Sequence, residues 1–162
     1  MATSIFLKLD PIKGNSEVDG FKEQIDVLSW SWGATNTRTM GVGSAASAGS
    51  SDTMPLMLTK RVDKATPNLM NQCQSAKPIP EAVLSITKQI DEKATTYLEI
   101  KLTNVFVNSF SVSGDGEGSA EAHESFGLSF EACEYTFTGQ NADGTAAASS
   151  PKTWNIHKNA PK

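Results

Sequence analysis

The segment of residues 25–33, with the sequence IDVLSWSWG, constrains the fold more than any other part of the chain. Its alternation of unlike residues at a period of two is typical of a β-strand with two different faces. One face is predicted to carry Leu28, Trp30 and Trp32. A buried tryptophan removes about 150–250 Å² of surface from water, so this face must pack against other elements and these three are predicted core residues.

The opposite face of the same segment carries Val27, Ser29 and Ser31, which are small and mostly polar. Such a face can lie against water, so the segment is typical of one wall of a β-barrel or sandwich. From the residues alone, an ordinary solvated sheet face is the simplest interpretation of this side.

Length and composition indicate one globular domain over residues 1–162, because 38% of the residues are hydrophobic and 20% are charged. The net charge of −4 disfavours a nucleic-acid-binding protein, which needs a basic surface. The N-terminal residues show no Sec-type signal peptide, and no apolar run reaches transmembrane length. We therefore expect a protein made in the cytoplasm, without nucleic-acid partners or direct membrane insertion, that is secreted by a different route if it is secreted.

Alternating patterns predict further strands over residues 4–9, 54–62, 81–90, 96–112, 124–138 and 154–156. The run 96–112 exceeds the usual strand length of about 3–10 residues, so it is expected to bend or to belong to two sheets. In the run 124–138, Phe126 and Leu128 share an apolar face and are predicted core residues. Residues 142–151 are predicted to form a flexible stretch.

One helix is predicted to begin near Thr66, a suitable N-cap residue, with Pro67 at the first helical position. Its apolar face, interpreted as core, consists of Leu69, Met70, Cys73 and Ala76. Six to eight strands and one short helix predict a mostly β fold, an antiparallel β-barrel or closed sandwich whose helix covers one opening or edge.

The segment 38–51 is rich in alanine, serine and glycine and has little to bury. Two interpretations remain open at this point. The segment is either a disordered loop or an arm that orders against a partner.

The sequence contains no arrangement typical of a catalytic or metal site. His123 and His157 belong to no recognisable serine- or cysteine-based arrangement, and with Cys73 and Cys133 they lack the paired spacing of a zinc site. The glycine-rich segment 114–118 lacks the Lys-Ser/Thr ending of a P-loop and the spaced ligands of an EF-hand, which favours a hairpin turn. We therefore predict a protein that is not an enzyme and has no cofactor and no metal ion.

Three segments, in order along the chain, resemble the haemolysin co-regulated protein (Hcp) family: residues 25–33, TPNLM at 66–70 and WNI at 154–156. The start IFLKL at 5–9 and the turn at Gly14 also fit. The resemblance implies a fold similar to phage tail-tube proteins and a structural subunit of the type VI secretion system inner tube. It further implies hexameric rings that stack, secretion of the protein itself, and effectors carried in the ring lumen. The implied partners are further copies, the sheath, spike and baseplate proteins, and effector proteins.

With this resemblance, Val27, Ser29 and Ser31 are predicted to line the channel of the ring. The arm, represented by Arg38, Met40 and Val42, is predicted to contact a neighbouring subunit or the next ring. The alternative is a monomeric β-sandwich that binds a ligand or partner on the sheet of Trp30 and Trp32.

Overall fold

The computed structural model describes residues 3–37, 51–90, 92–118 and 121–161. Within these residues the chain is mostly β with one short helix, as the alternating patterns predicted. The elements are β1 (Thr3–Lys8), β2 (Ile25–Val27), β3 (Ser29–Ser31), β4 (Ala34–Asn36), β5 (Ser51–Thr53), β6 (Leu56–Arg61), α1 (Thr66–Ser75), β7 (Ile79–Ile90), β8 (Lys93–Ser113), β9 (His123–Gln140) and β10 (Ala146–Asn155).

Eight of the strands form one antiparallel sheet in the order β2-β1-β7-β8-β9-β6-β3, with β10 beside β9, whereas β4 and β5 pair separately. β2 and β3 stand at opposite ends of this order although only Leu28 separates them in the sequence. The segment predicted as one strand therefore pairs with β1, bends once and then pairs with β6. This passage brings the two ends of the sheet together and gives a nearly closed barrel.

The bend at Leu28 corrects two predictions about side-chain faces. Val27 is only 7% exposed and lies in the core, so it does not share the polar face of Ser29 and Ser31. Leu28 is 45% exposed, so it is not a core residue of the single subunit. One alternating pattern cannot continue through the bend, because β2 pairs with β1 whereas β3 pairs with β6. The residues that point inward are therefore odd-numbered before the bend and even-numbered after it.

The two tryptophans of the segment lie at the margin of the core. Trp30 and Trp32 are half-buried and pack against it. The Trp32 Nε1 group donates to the carbonyl oxygen of Met54 at 3.0 Å. Phe126 and Leu128, also predicted core residues, are fully buried at 0% exposure. The core is therefore formed mainly by aliphatic side chains and phenylalanine rings, and the indole rings of Trp30 and Trp32 lie at its margin.

The long strand β8 changes its buried side at Asn104, and a shift in its pairing with β9 between Val107 and Ser109 changes it back. Before this residue Leu102 is buried, whereas after it Val105 is buried and Phe106 is 37% exposed. Asn104 has a φ of +52°, and asparagine tolerates this left-handed conformation better than most residues. Phe106 would share the buried face of Leu102 if the alternation were unbroken, and it is exposed for this reason.

The helix is less buried than its pattern predicted. It begins at Thr66 with Ala65 as the N-cap residue. Leu69 is buried, Cys73 is half-buried and Met70 is exposed, so only a narrow stripe contacts the core. The helical spacing located the element correctly but overestimated its contact.

The prediction of a flexible stretch over residues 142–151 is wrong for most of its length. Residues from Ala146 onward belong to β10, which pairs with β9 through Asn155. Small residues have little to bury, but backbone hydrogen bonding to an existing strand does not depend on side-chain size.

Candidate functional site: a serine-rich wall

Ser29 and Ser31 continue into a surface that spans four neighbouring strands, β3, β6, β9 and the second half of β8. Residues directly opposite each other on antiparallel strands point to the same face. The register therefore builds two adjacent rows, Ser29, Thr59, Ser125 and Ser111 in the first and Ser31, Met57, Gly127 and Ser109 in the second. We call the surface formed by these eight residues the serine wall.

The serine wall is uncharged, and six of its eight residues carry small hydroxyl side chains; the other two are Met57, which is 39% exposed, and the buried Gly127. Ser29 and Ser31 are exposed, and Thr59 and Ser125 are half-buried. The other face of the same strands is core, because the residues that alternate with the wall, such as Phe126, are fully buried. A surface of this composition offers hydroxyl groups to water and no charge to a partner.

Sequence reasoning found only two of the eight wall residues. The others come from strands far away in the sequence, and only strand pairing brings them beside Ser29 and Ser31. A signal was nevertheless present, because serine recurs at every second position in the run Ser109, Ser111 and Ser113. This alternation is typical of one polar face of a strand.

Gly127 allows neighbouring side chains to lie close to the backbone of β9. A Cβ atom at this position would lie 2.5 Å from the Asn108 Oδ1 atom and 2.9 Å from the Met57 Sδ atom. Asn108 instead lies near the strand, and its Nδ2 group donates to the Ser129 hydroxyl at 2.9 Å. The absence of a side chain at Gly127 therefore leaves room for Asn108 and Met57 against the backbone of β9.

A buried group of charges lies directly behind the wall; we call Lys60, Asp63 and Glu124 the ion cluster. Lys60 is 0% exposed and Glu124 is 1% exposed. The Lys60 ammonium donates to the Asp63 Oδ1 atom at 2.7 Å and contacts the Glu124 carboxylate. The Thr66 hydroxyl donates to the Glu124 Oε1 atom at 3.0 Å. The cluster thus connects two wall strands, β6 and β9, to the start of the helix.

The arrangement of the ion cluster indicates a structural role. Removing ions from water costs several kcal/mol each, and pairing with good hydrogen bonds offsets that cost. The Lys60 ammonium also donates to the Arg61 carbonyl oxygen at 3.1 Å, so its protons are all used in contacts within the chain. Within residues 3–37, 51–90, 92–118 and 121–161, no group of three or more His, Cys, Asp or Glu side chains is arranged to hold a metal ion.

A cleft of about 490 Å³ opens beside the ion cluster. Its apolar lining includes Leu28 and Val62, which are 45% and 46% exposed. Its charged lining includes Asp26, Asp63 and Arg61, and the Arg61 Nε group pairs with Glu121 at 3.1 Å. The cleft is therefore mixed in character, with an apolar side next to the edge of the wall.

Burial raises the pKa of the Asp26 carboxyl, and the nearby charge of Asp63 raises it further. Replacing Asp26 by asparagine is expected to raise the thermal-unfolding midpoint at pH 7. The folded chain disfavours the ionised carboxylate relative to the unfolded chain, so the penalty is present above the raised pKa. The penalty disappears below the ordinary aspartate pKa of about 3.9. The increase in the unfolding midpoint caused by Asp26→Asn should therefore shrink as the pH falls towards that value.

Thermal melts of Asp26→Asn between pH 8 and pH 3 measure this effect, with Asp19→Asn as the control at an exposed aspartate. An equal gain in the control, or a gain that grows as the pH falls, would contradict the assignment.

The remaining predicted contact residues, Arg38, Met40 and Val42, lie outside the described residues.

Comparison with known proteins decides the family of the chain. A family model described as type VI secretion system effector, Hcp, matches residues 6–137. The chain is 39% identical to the protein hcp1 of Pseudomonas aeruginosa over 160 residues, which is 98% of each chain. The chain belongs to the Hcp family.

Solved structures agree with this assignment and with the barrel. Hcp1 from Salmonella typhimurium is 31% identical to this Hcp chain, and the two structures superpose with a TM-score of 0.81. The alignment covers 100% of both chains. A structure described as a type six secretion system protein has a TM-score of 0.90 at 29% identity, covering 99% of this chain and 100% of its own. In the described parts of this Hcp chain, no helix has both the length and the apolar character needed to cross a membrane.

Proposed function

We propose that this Hcp chain is a non-catalytic structural subunit of the type VI secretion inner tube, which forms hexameric rings that stack and is itself secreted. The observation that carries this proposal is the serine wall between two unpaired strand edges. Among the described residues, β3 pairs only with β6, and residues 106–113 of β8 pair only with β9 because the pairing with β7 ends at Val105. Free edges can pair with another chain.

Two different edges favour a ring over a simple dimer. A contact between unlike surfaces is head-to-tail, and it closes into a ring when the rotation between subunits permits. In such a ring the serine walls join into one inner surface, with Ser29 and Ser31 facing the pore and the core behind them. Val27 is not part of this surface.

The chemistry of the serine wall suits a lumen that carries effector proteins. Small side chains leave the pore wide, and uncharged hydroxyls are equally compatible with acidic and basic cargo. The sheath, spike and baseplate proteins are the further partners of this proposal. The segment with Arg38, Met40 and Val42 remains the proposed contact between subunits or rings.

Analytical ultracentrifugation and negative-stain images of the purified chain test the assembly. We expect a species of six copies that appears as a ring with a central pore. A monomer at high protein concentration, with no rings in the images, would overturn the proposal.

A gold label tests the lumen assignment within intact rings. In a Cys73→Ser and Cys133→Ser background, Ser31→Cys labelled with maleimide-gold should place density in the central pore. Density at the outer rim of intact rings would contradict the position of the serine wall, and unlabelled rings provide the control.

One observation favours the alternative of a monomeric binding module. A cavity of about 300 Å³ is lined by aromatic residues including Trp32, Tyr135 and Trp154. Pockets of this size and lining are typical of small-molecule sites. This alternative predicts a stable monomer, so the same sedimentation experiment decides between the two functions.

A further inference from the structure

The core-facing side of the serine-wall strands also forms rows that run across all four strands. The strand register gives one row as Trp30, Leu58, Phe126 and Phe110. The neighbouring row is Lys60, Glu124 and Val112. Leu28 is the bend residue just before the Ser29–Thr59 pair, and its N–H donates to the Thr59 carbonyl oxygen at 2.8 Å. The first row begins on β3, Leu28 directly precedes β3, and both rows end on the second half of β8; β3 and this part of β8 are two of the edges left free among the described strands.

Burial within these rows depends on the position in the row. The four middle residues are almost completely buried, at 0–1% exposure for Lys60, Glu124, Leu58 and Phe126. The end residues are not, because Leu28 and Val112 are each 45% exposed. Trp30 and Phe110 are partly buried at the other two ends. Both edges therefore leave apolar side chains incompletely covered, Leu28 and Trp30 at the β3 side and Val112 and Phe110 at the β8 side.

The surroundings of Leu28 offer room for another side chain. Leu28 and the equally exposed Val62 line the cleft of about 490 Å³ at the strand ends, just before β3 begins and where β6 ends. Asp63 of the ion cluster lines the same cleft as Leu28, so an apolar group placed here would shield the cluster from water. Shielding strengthens ion pairs because the local dielectric constant falls.

The strand directions allow the two edges to meet between copies. β3, β6, β9 and β8 are successive antiparallel neighbours, so the first and the fourth run in opposite directions. Rotation about a ring axis preserves each strand's direction along that axis. β8 of one copy and β3 of the next would therefore lie antiparallel, and the rows would continue from copy to copy.

We infer that a second copy of this chain covers these residues, with Val112 of one subunit packed against Leu28 of the next and Phe110 packed against Trp30. This inference rests on the proposed tube function and specifies which edges meet and in which register. It also assigns a role to Leu28, whose exposure is unexplained in the single subunit.

Disulfide formation between subunits tests this register. In a Cys73→Ser and Cys133→Ser background, the double variant Leu28→Cys/Val112→Cys should form covalent oligomers up to six copies under mild oxidation. A bond within one chain is excluded by geometry, because three strand spacings separate the two positions by about 14 Å and a disulfide needs Cα atoms about 4.4–6.8 Å apart. Thermal melts under reducing conditions establish that the variant is folded.

Four further samples sharpen the result. A mixture of the single variants Leu28→Cys and Val112→Cys should give covalent dimers only, whereas each single variant alone should stay monomeric on a non-reducing gel. The pair Leu28→Cys/Tyr135→Cys is the matched control, since Tyr135 is 41% exposed but lies outside the rows, and it should not crosslink.

The outcomes separate this inference from the proposed function. Intact rings in which neither Leu28/Val112 nor Trp30/Phe110 cysteine pairs crosslink would overturn the register and leave the tube function standing. Covalent dimers from Leu28→Cys alone would show that identical edges meet, which also overturns it. Absence of rings before any substitution is made would instead contradict the proposed function itself.

Discussion

Replacing Lys60 by methionine is expected to lower the free energy of unfolding by about 3–5 kcal/mol, the range for breaking a buried ion pair by removing one partner. Lys60 is 0% exposed, and its ammonium contacts both Asp63 and Glu124. Methionine preserves most of the side-chain volume but leaves the two carboxylates without their cation. Urea denaturation at fixed protein concentration measures the change, since ring assembly would add a concentration-dependent contribution.

An exposed ion pair provides the control for Lys60→Met. The Lys13 ammonium lies 2.6 Å from the Asp10 Oδ1 atom, but the two side chains are each 50% exposed. Lys13→Met should therefore change stability by at most about 1 kcal/mol. Adding Glu124→Leu to Lys60→Met should recover part of the loss because it removes one of the stranded charges. Equal effects at Lys60 and Lys13 would contradict a buried cluster.

Replacing Phe126 by alanine is expected to cost about 3–5 kcal/mol, the range for removing a phenyl ring from a packed core. Phe126 is 0% exposed and lies between Leu58 and Phe110 in a core-facing row of the wall strands. The cavity left behind has strands on both sides that cannot move inward without losing their hydrogen bonds. Thermal or urea unfolding of Phe126→Ala measures the loss.

Phe137→Ala is the matched control for this substitution. Phe137 lies on the same strand, β9, and is 57% exposed. Substitutions at such positions usually change stability by about 0.5 kcal/mol or less. A loss at Phe137 as large as that at Phe126 would show that the core lies elsewhere in the barrel or that β9 is covered differently.

Side-chain alternation predicted the β class of this chain correctly because it is a local property. The inward position of Phe126 and Leu128 follows from the period of two within one strand. The resemblance to the Hcp family, also noticed in the sequence, is confirmed by the family model and by the relative at 39% identity. These results depend only on residues close together in the chain or on ordered motifs.

The errors occur where a distant partner changes the local pattern. The alternation of residues 25–33 contains no sign that the segment leaves β1 and joins β6 at Leu28, so the predicted face of Val27 and the predicted burial of Leu28 are wrong. The exchange of buried sides at Asn104 likewise depends on a single φ of +52°. Residues 146–151 joined a strand because β9 offers hydrogen-bonding groups there.

The sequence by itself determined the family, the β class, the short helix and which residues of each regular strand point together, because these follow from the order and spacing of neighbouring side chains. Only the tertiary structure decided which strands lie side by side. That choice assembled the serine wall from Ser29, Thr59, Ser125 and Ser111, and it placed Lys60 beside Glu124. The physical reason is that strand pairing satisfies backbone groups across long loops, and side-chain patterns within one strand do not encode the partner.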